Sequence, residues 1–147
     1  MKTFEELKED LLERAKKHHA CQDGYRMGLN AKSKQDLLKA ITDNWYWVLS
    51  TSKMIDANYL EKNFTEEELT EAGIYTRKEH TSNAKSFACG SATVKAYGSA
   101  TVEAYDNSYV EDCTKNINSV SDHGIVKDYY NHKIYIKKGK FKIIEIK

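Results

Sequence analysis

The residues of this chain best suited to metal binding or nucleophilic chemistry are three cysteines, Cys21, Cys89 and Cys113, and five histidines. His18-His19-x-Cys21 has the residue types of a zinc site. Zinc needs three or four ligands in a closed set, and no second ligand pair follows at a useful spacing. Histidines in the last turn of a helix, solvated and complementing its dipole, account for the motif better. A cysteine with His80, His123 or His132 would make a nucleophile–base pair, but nothing in the sequence brings such a pair together. Gly90 and Gly98 stand eight residues apart with no Lys-Ser/Thr after them, so they are not a phosphate loop. No catalytic residue, metal site or cofactor is expected. The remaining chemistry belongs to tyrosine, whose amphipathic ring favours interfaces. Tyr97, Tyr105 and Tyr129 recur at one position of an internal repeat.

The 147 residues make one ordinary domain, or one small domain with an appendage. Lys+Arg 23 against Asp+Glu 22 gives a net charge of +1, so no global field points to nucleic acid or its mimicry. The local balance is less even. Residues 82–129 hold 4 Lys and 6 Asp/Glu, net −2, whereas residues 130–147 hold 6 Lys and 1 Glu, net +5. No apolar run of about 18 residues exists to span a membrane. The N-terminus is an acidic amphipathic stretch, unlike a secretory signal. An odd number of cysteines without CxxC points to reduced thiols and a cytoplasmic location. There is no proline among 10 Tyr and 7 Gly, so turns must be built from Gly, Asn, Asp and Ser.

The elements that must carry these side chains change type half-way along the chain. Thr3 with Glu6 is a capping box, and Phe4, Leu7, Leu11 and Ala15 then line one face of a helix over 3–19. Residues 20–30, with Gly24 and Gly28, read as an irregular connection. Ser33 with Asp36 starts a second helix whose wide apolar stripe runs to about residue 50. Trp45 and Trp47, two apart, cannot share its face. A short helix over 54–63 follows, then one capped by Thr65 with Glu68 and ended by Gly73. Ile74-Tyr75-Thr76 turns to β-type residues.

The second half contains a repeat. Gly90-Ser91-Ala92-Thr93-Val94-Lys95-Ala96-Tyr97 is followed directly by Gly98-Ser99-Ala100-Thr101-Val102-Glu103-Ala104-Tyr105, differing only at Lys95/Glu103. Weaker copies occupy 82–89, 106–113, 114–121 and 122–129. Each octad opens with a turn residue and then alternates, with Ala92, Val94 and Ala96 on one face and Thr93, Lys95 and Tyr97 on the other. Such a unit buries its apolar face only by stacking. The expected architecture is α+β: a helical region over 1–76, a short β-solenoid over 77–131 and a C-terminal β-hairpin cap over 132–147. Coils of two or three octads are open; three flat sides enclose a core more easily, so three are expected, placing Cys89 over Cys113 and Tyr105 over Tyr129.

The octads resemble the (D/G)-(N/S)-A-T-V-x-A-Y tandem repeats of proteins from gut bacteria and their phages, over roughly residues 82 to 129. The stretches Cys21 to Trp47 and Glu67 to Tyr75 also look like the region preceding such arrays. The resemblance implies a solenoid attached to a small helical region and a mobile-element setting. It implies no activity. The expected function is non-enzymatic binding of a protein or ribonucleoprotein partner by steric occupation, most concretely as an anti-CRISPR-like inhibitor of a host defence complex. Tyr97, Tyr105, Glu103 and Glu111 on the outer face, with Lys137, Lys138 and Lys140 of the basic hairpin, are the partner-binding candidates, the lysines being able to contact phosphate. A homo-oligomerising structural module, such as a homodimer, is the first alternative. A small enzyme on a β-helix scaffold is the second, weakened because acyltransferase β-helices repeat by hexads.

Overall fold

The structure, a computed structural model, describes residues 1–116, 119–120, 123–138 and 140–146, without the side chains of residues 137, 138 and 140–142. The chain divides into two compact units, Met1–Ala72 and Gly73–Lys147. The architecture is α+β, helices first and a β-solenoid after them.

In the first unit, α1 (Phe4–Lys17) has the expected capping box: Glu6 N donates to Thr3 Oγ1, and Thr3 N donates to the Glu6 carboxylate at 2.9 Å. Leu7 and Leu11 are buried on its inner face. The expected connection over 20–30 is instead a helix, α2 (Gln22–Asn30). Two things conceal it in the sequence. Its N-cap acceptor is a thiol, Cys21 Sγ, which takes Gly24 N at 3.4 Å, outside the usual Ser, Thr, Asp and Asn set. Its two glycines also cost about 1 kcal/mol each in helix propensity against alanine, so packing against α1 and α3 must hold it. Next, α3 (Lys34–Asp43) starts at Ser33 and buries Leu37, Leu38 and Ile41.

The apolar stripe beyond α3 does not continue as one helix. Asn44 leaves helical geometry at φ −120, and Trp47–Thr51 winds as a π-helical turn. The two tryptophans, two residues apart, take different faces: Trp45, before this turn, is 2% exposed, while Trp47, at its start, stays half-buried. Asp56 caps α4 (Ala57–Asn63), and the Thr65 capping box starts α5 (Glu66–Glu71). Gly73, at φ +74, follows α5 in the left-handed conformation that ends helices; a Cβ there would meet Lys85 O at 3.1 Å.

One polar cluster ties α1 to α4. Tyr59 donates a short hydrogen bond to the Asp10 carboxylate, which also pairs with Lys2 at 2.9 Å and Arg14 at 3.0 Å. Arg14 lies over the Tyr59 ring, 4.5 Å from its centre, and donates to Met54 O at 2.9 Å. Burial opposes ionisation of Asp10, but the hydrogen bonds from Tyr59, Lys2 and Arg14 outweigh it and hold the carboxyl below its ordinary value. Burial, then the bond to Asp10, pushes the Tyr59 hydroxyl well above its own.

The second unit is a two-sided solenoid. Parallel strands β1 (Ile74–Tyr75), β3 (Lys85–Ala88), β5 (Thr101–Ala104) and β7 (Ser119–Val120) make one sheet. Strands β2 (Glu79–Ser82), β4 (Thr93–Ala96), β6 (Tyr109–Asp112) and β8 (Ile125–Asp128) make the other, continued by the antiparallel hairpin β9 (Lys133–Lys138) and β10 (Lys140–Glu145). Thr93 pairs with Tyr109 and Tyr109 with Ile125, a step of 16 residues. A coil is therefore two octads, not the expected three. The reason is the size of the interior residues: Ala88, Ala96, Val94, Val102, Ala104 and Val110 are all at most 2% exposed. Side chains this short let two sheets meet directly, whereas a three-sided prism would leave a hollow they cannot fill. The corners follow the expectation for octad openings, with Gly90 at φ 60, Gly98 at φ 61 and Asp106 at φ 55.

Candidate binding surfaces

A two-octad coil sends successive octads to opposite sheets, and this decides where the sequence candidates lie. Cys89 and Tyr105 stack on one side, with Tyr105 N donating to Ala88 O; Tyr97, Cys113 and Tyr129 stack on the other. The expected pairs Cys89 over Cys113 and Tyr105 over Tyr129 do not form. Tyr105 is 2% exposed, so it is a packed residue and no part of an outer ridge. Glu103, beside it, accepts from the Tyr105 hydroxyl at 3.1 Å and pairs with Lys85 at 3.8 Å. Glu111 lies on the other sheet. The four outer-face candidates thus split between two sheets and cannot form one surface.

The six-stranded sheet carries the coherent part. Inward Val94, Val110 and Val126 alternate with an outward column, Lys95, Glu111 and Lys127, in neighbouring register. Next to it runs the column Tyr97, Cys113 and Tyr129, with Tyr97 48% and Tyr129 40% exposed. Lys127 lies 4.7 Å from the centre of the Tyr129 ring, and Lys115 4.9 Å from that of Tyr130. Lys95 pairs with Glu79 at 2.8 Å; that hydrogen bond raises its pKa, and a bond to Tyr129 raises that of Lys127. Both lysines therefore stay charged at neutral pH and above. The Tyr109 hydroxyl is pushed up by burial and by Glu111, to which it donates at 3.4 Å. Two acids that would look free in the sequence are corner anchors instead. Asp112, 1% exposed, accepts Thr114 N, and Asp128, 5% exposed, accepts both nitrogens of Asn131.

Lys137, Lys138 and Lys140 lie in the hairpin, Lys140 opposite Lys138. Their side chains and Gly139 fall outside the described residues. His18 closes the C-terminus of α1, His19 follows it at φ 60 and Cys21 caps α2; Cys21 and Cys113 are exposed while Cys89 is buried. Among the described residues no group of three His, Cys, Asp or Glu is placed to share a metal ion, and no helix is long and apolar enough to cross a membrane.

The helical unit holds a feature that no motif announces, a cavity of about 230 Å³ between α1, α2, α3 and the π-helical turn. Its floor is Leu11, Leu37, Ile41 and Val48, and Tyr25 and Trp47 supply aromatic walls. The glycines of α2 make the space: Gly24 and Gly28 both line it, and α2 buries no residue of its own. Two polar groups face it. Cys21 stands at the rim, and Asn44 lies beside Gly24, where an added Cβ would come 3.4 Å from both Cys21 Sγ and Asn44 Oδ1. The glycines at spacing four were the only signal in the sequence. No family model matches the chain, and neither a curated protein nor a solved structure matches it.

Proposed function

We propose that the protein is a non-enzymatic binding protein that occupies a protein or ribonucleoprotein partner through the outer face of its six-stranded sheet. One observation carries this reading: Tyr97 and Tyr129 stand exposed in one column beside the alternating charges of Lys95, Glu111 and Lys127. Parallel strands hold both columns, so little ordering entropy is lost on docking. Tyrosine is favoured at interface centres and charge alternation sets register. The six lysines and one glutamate of residues 130–147 favour phosphate contact when the partner carries RNA. Inhibition of a host defence complex is the most concrete form of this reading and rests on the resemblance of the octads alone.

The test is affinity capture from the native host with the full chain, read by mass spectrometry. A partner lost on Tyr97→Ala with Tyr129→Ala, but kept on Glu103→Ala across the solenoid, supports the proposal. Equal capture by all three proteins overturns it. One observation favours an oligomerising module instead: β10 ends the sheet, and its Ile143 and Ile144 are 51% and 45% exposed. Light scattering that gives a dimer for the wild type and a monomer for Ile144→Lys would favour that second reading.

A further inference from the structure

We infer that the cavity of the helical unit is a binding site for a small aromatic molecule carrying one hydrogen-bond donor, of the phenol or indole class. The site lies wholly within Met1–Ala72 and is independent of the solenoid face. Three observations converge on this ligand. The first is size. An apolar cavity of about 150 Å³ in another protein stays dry and takes up benzene; the cavity here is about 230 Å³, enough for one substituted or fused ring. The second is shape and polarity. Aliphatic floor residues and the rings of Tyr25 and Trp47 suit a flat apolar body.

The third is an amide acceptor in the lining, Asn44 Oδ1. Asn44 Nδ2 donates to Ala40 O at 2.8 Å, which fixes the amide orientation, because the flipped amide would set two oxygens against each other. Nδ2 also faces Met27 Sδ at 3.7 Å. Oδ1 is left pointing beside Gly24 and accepts no hydrogen bond from a described residue. A ligand with one O–H or N–H satisfies it; a purely aliphatic ligand, or one without a donor, leaves it unmet. Glycine at position 24 keeps this oxygen reachable, since any side chain there would stand between Asn44 and Cys21.

Calorimetric titration of the full chain with phenol, indole, toluene and octanoate tests the assignment. Phenol and indole are expected to saturate with one site each and to alter tryptophan emission through Trp47. Toluene should bind about three to ten times more weakly, the worth of one hydrogen bond, and octanoate more weakly still. Asn44→Leu should erase the phenol–toluene difference, and Ala40→Leu should weaken every ligand more than tenfold by filling the space. Because either variant could disturb packing, maleimide labelling of Cys21 in a Cys113→Ser background supplies a check on the unaltered cavity: phenol should slow it in a saturable way. No saturable response, equal affinity for phenol and toluene, or preferred binding of octanoate overturns the inference. So does self-association that removes the response, which would make a second copy the occupant.

Discussion

The two halves of this molecule reach order by opposite routes. In the helical unit nearly every stabilising residue acts once. Thr3, Ser33, Asp56 and Thr65 each cap a different helix, Asp10 ties α1 to α4 through partners found nowhere else, and Trp45 fills one site. In the solenoid the same act is repeated. Val94, Val110 and Val126 stack in one inner column, and Gly90 and Asp106 turn the same corner 16 residues apart. The difference teaches what each half tolerates. A unit of single-use contacts can leave a cavity where packing fails to close, as over α2. A ladder cannot, because a defect in one coil is presented to both neighbours.

The sharpest way to break this contrast is to remove repeats. Deleting 90–105 takes out one full coil and brings Asp106 to the corner held by Gly90, so a cooperative thermal melt with native β-sheet circular dichroism should survive at a lower midpoint. Deleting only 98–105 sends every later octad, and the hairpin, to the wrong sheet; the β signal and the cooperative melt should vanish. Identical behaviour of the two deletions would dismiss the two-octad coil. A smaller but still large effect is expected from Val110→Asp, which buries an unpaired charge in a fully enclosed column and should cost about 3–5 kcal/mol in denaturant unfolding. Glu111→Ala next to it should stay within about 0.5 kcal/mol. Near equality of those neighbours would mean that inner and outer faces are wrongly assigned.

In the helical unit, Asp10→Asn should cost about 1–3 kcal/mol at neutral pH through lost charge-assisted bonds. The folded carboxyl titrates below its ordinary value of 3.8, so its contribution is present above that pH and is lost as the pH falls further. Wild type and variant should therefore converge in acid; a gap independent of pH would remove the ionised carboxylate from the explanation. The smallest effect expected is from Thr65→Ala, about 1 kcal/mol for one cap, measured by chemical denaturation. Thr65→Ser should restore most of it.

Much of this contrast was legible in the chain. The capping boxes at Thr3 and Thr65, the alternation of Ala and Val against Thr and Lys, and the turn residues Gly90, Gly98 and Asp106 that open three of the octads act through local geometry, and they were found where the spacing put them. What escaped was set by packing at a distance. The coil size depends on how close two sheets can approach, which no single octad encodes. Tyr97 and Tyr105 occupy one repeat position yet differ from 48% to 2% exposure, because positions eight apart go to opposite sides. The helix α2 escaped because a thiol caps it and two glycines weaken it, and the cavity escaped with it.

The interior of alanine and valine has a thermal consequence. Heat capacity of unfolding grows with the apolar area newly exposed to water. Coils lined by Ala88, Ala96, Ala104 and Val102 expose less of it per residue than a core of Leu37, Leu38, Ile41, Trp45 and Phe64. The stability of the solenoid should therefore change more gently with temperature than that of the helical unit, so that it is the flatter curve of the two in both the cold and the heat.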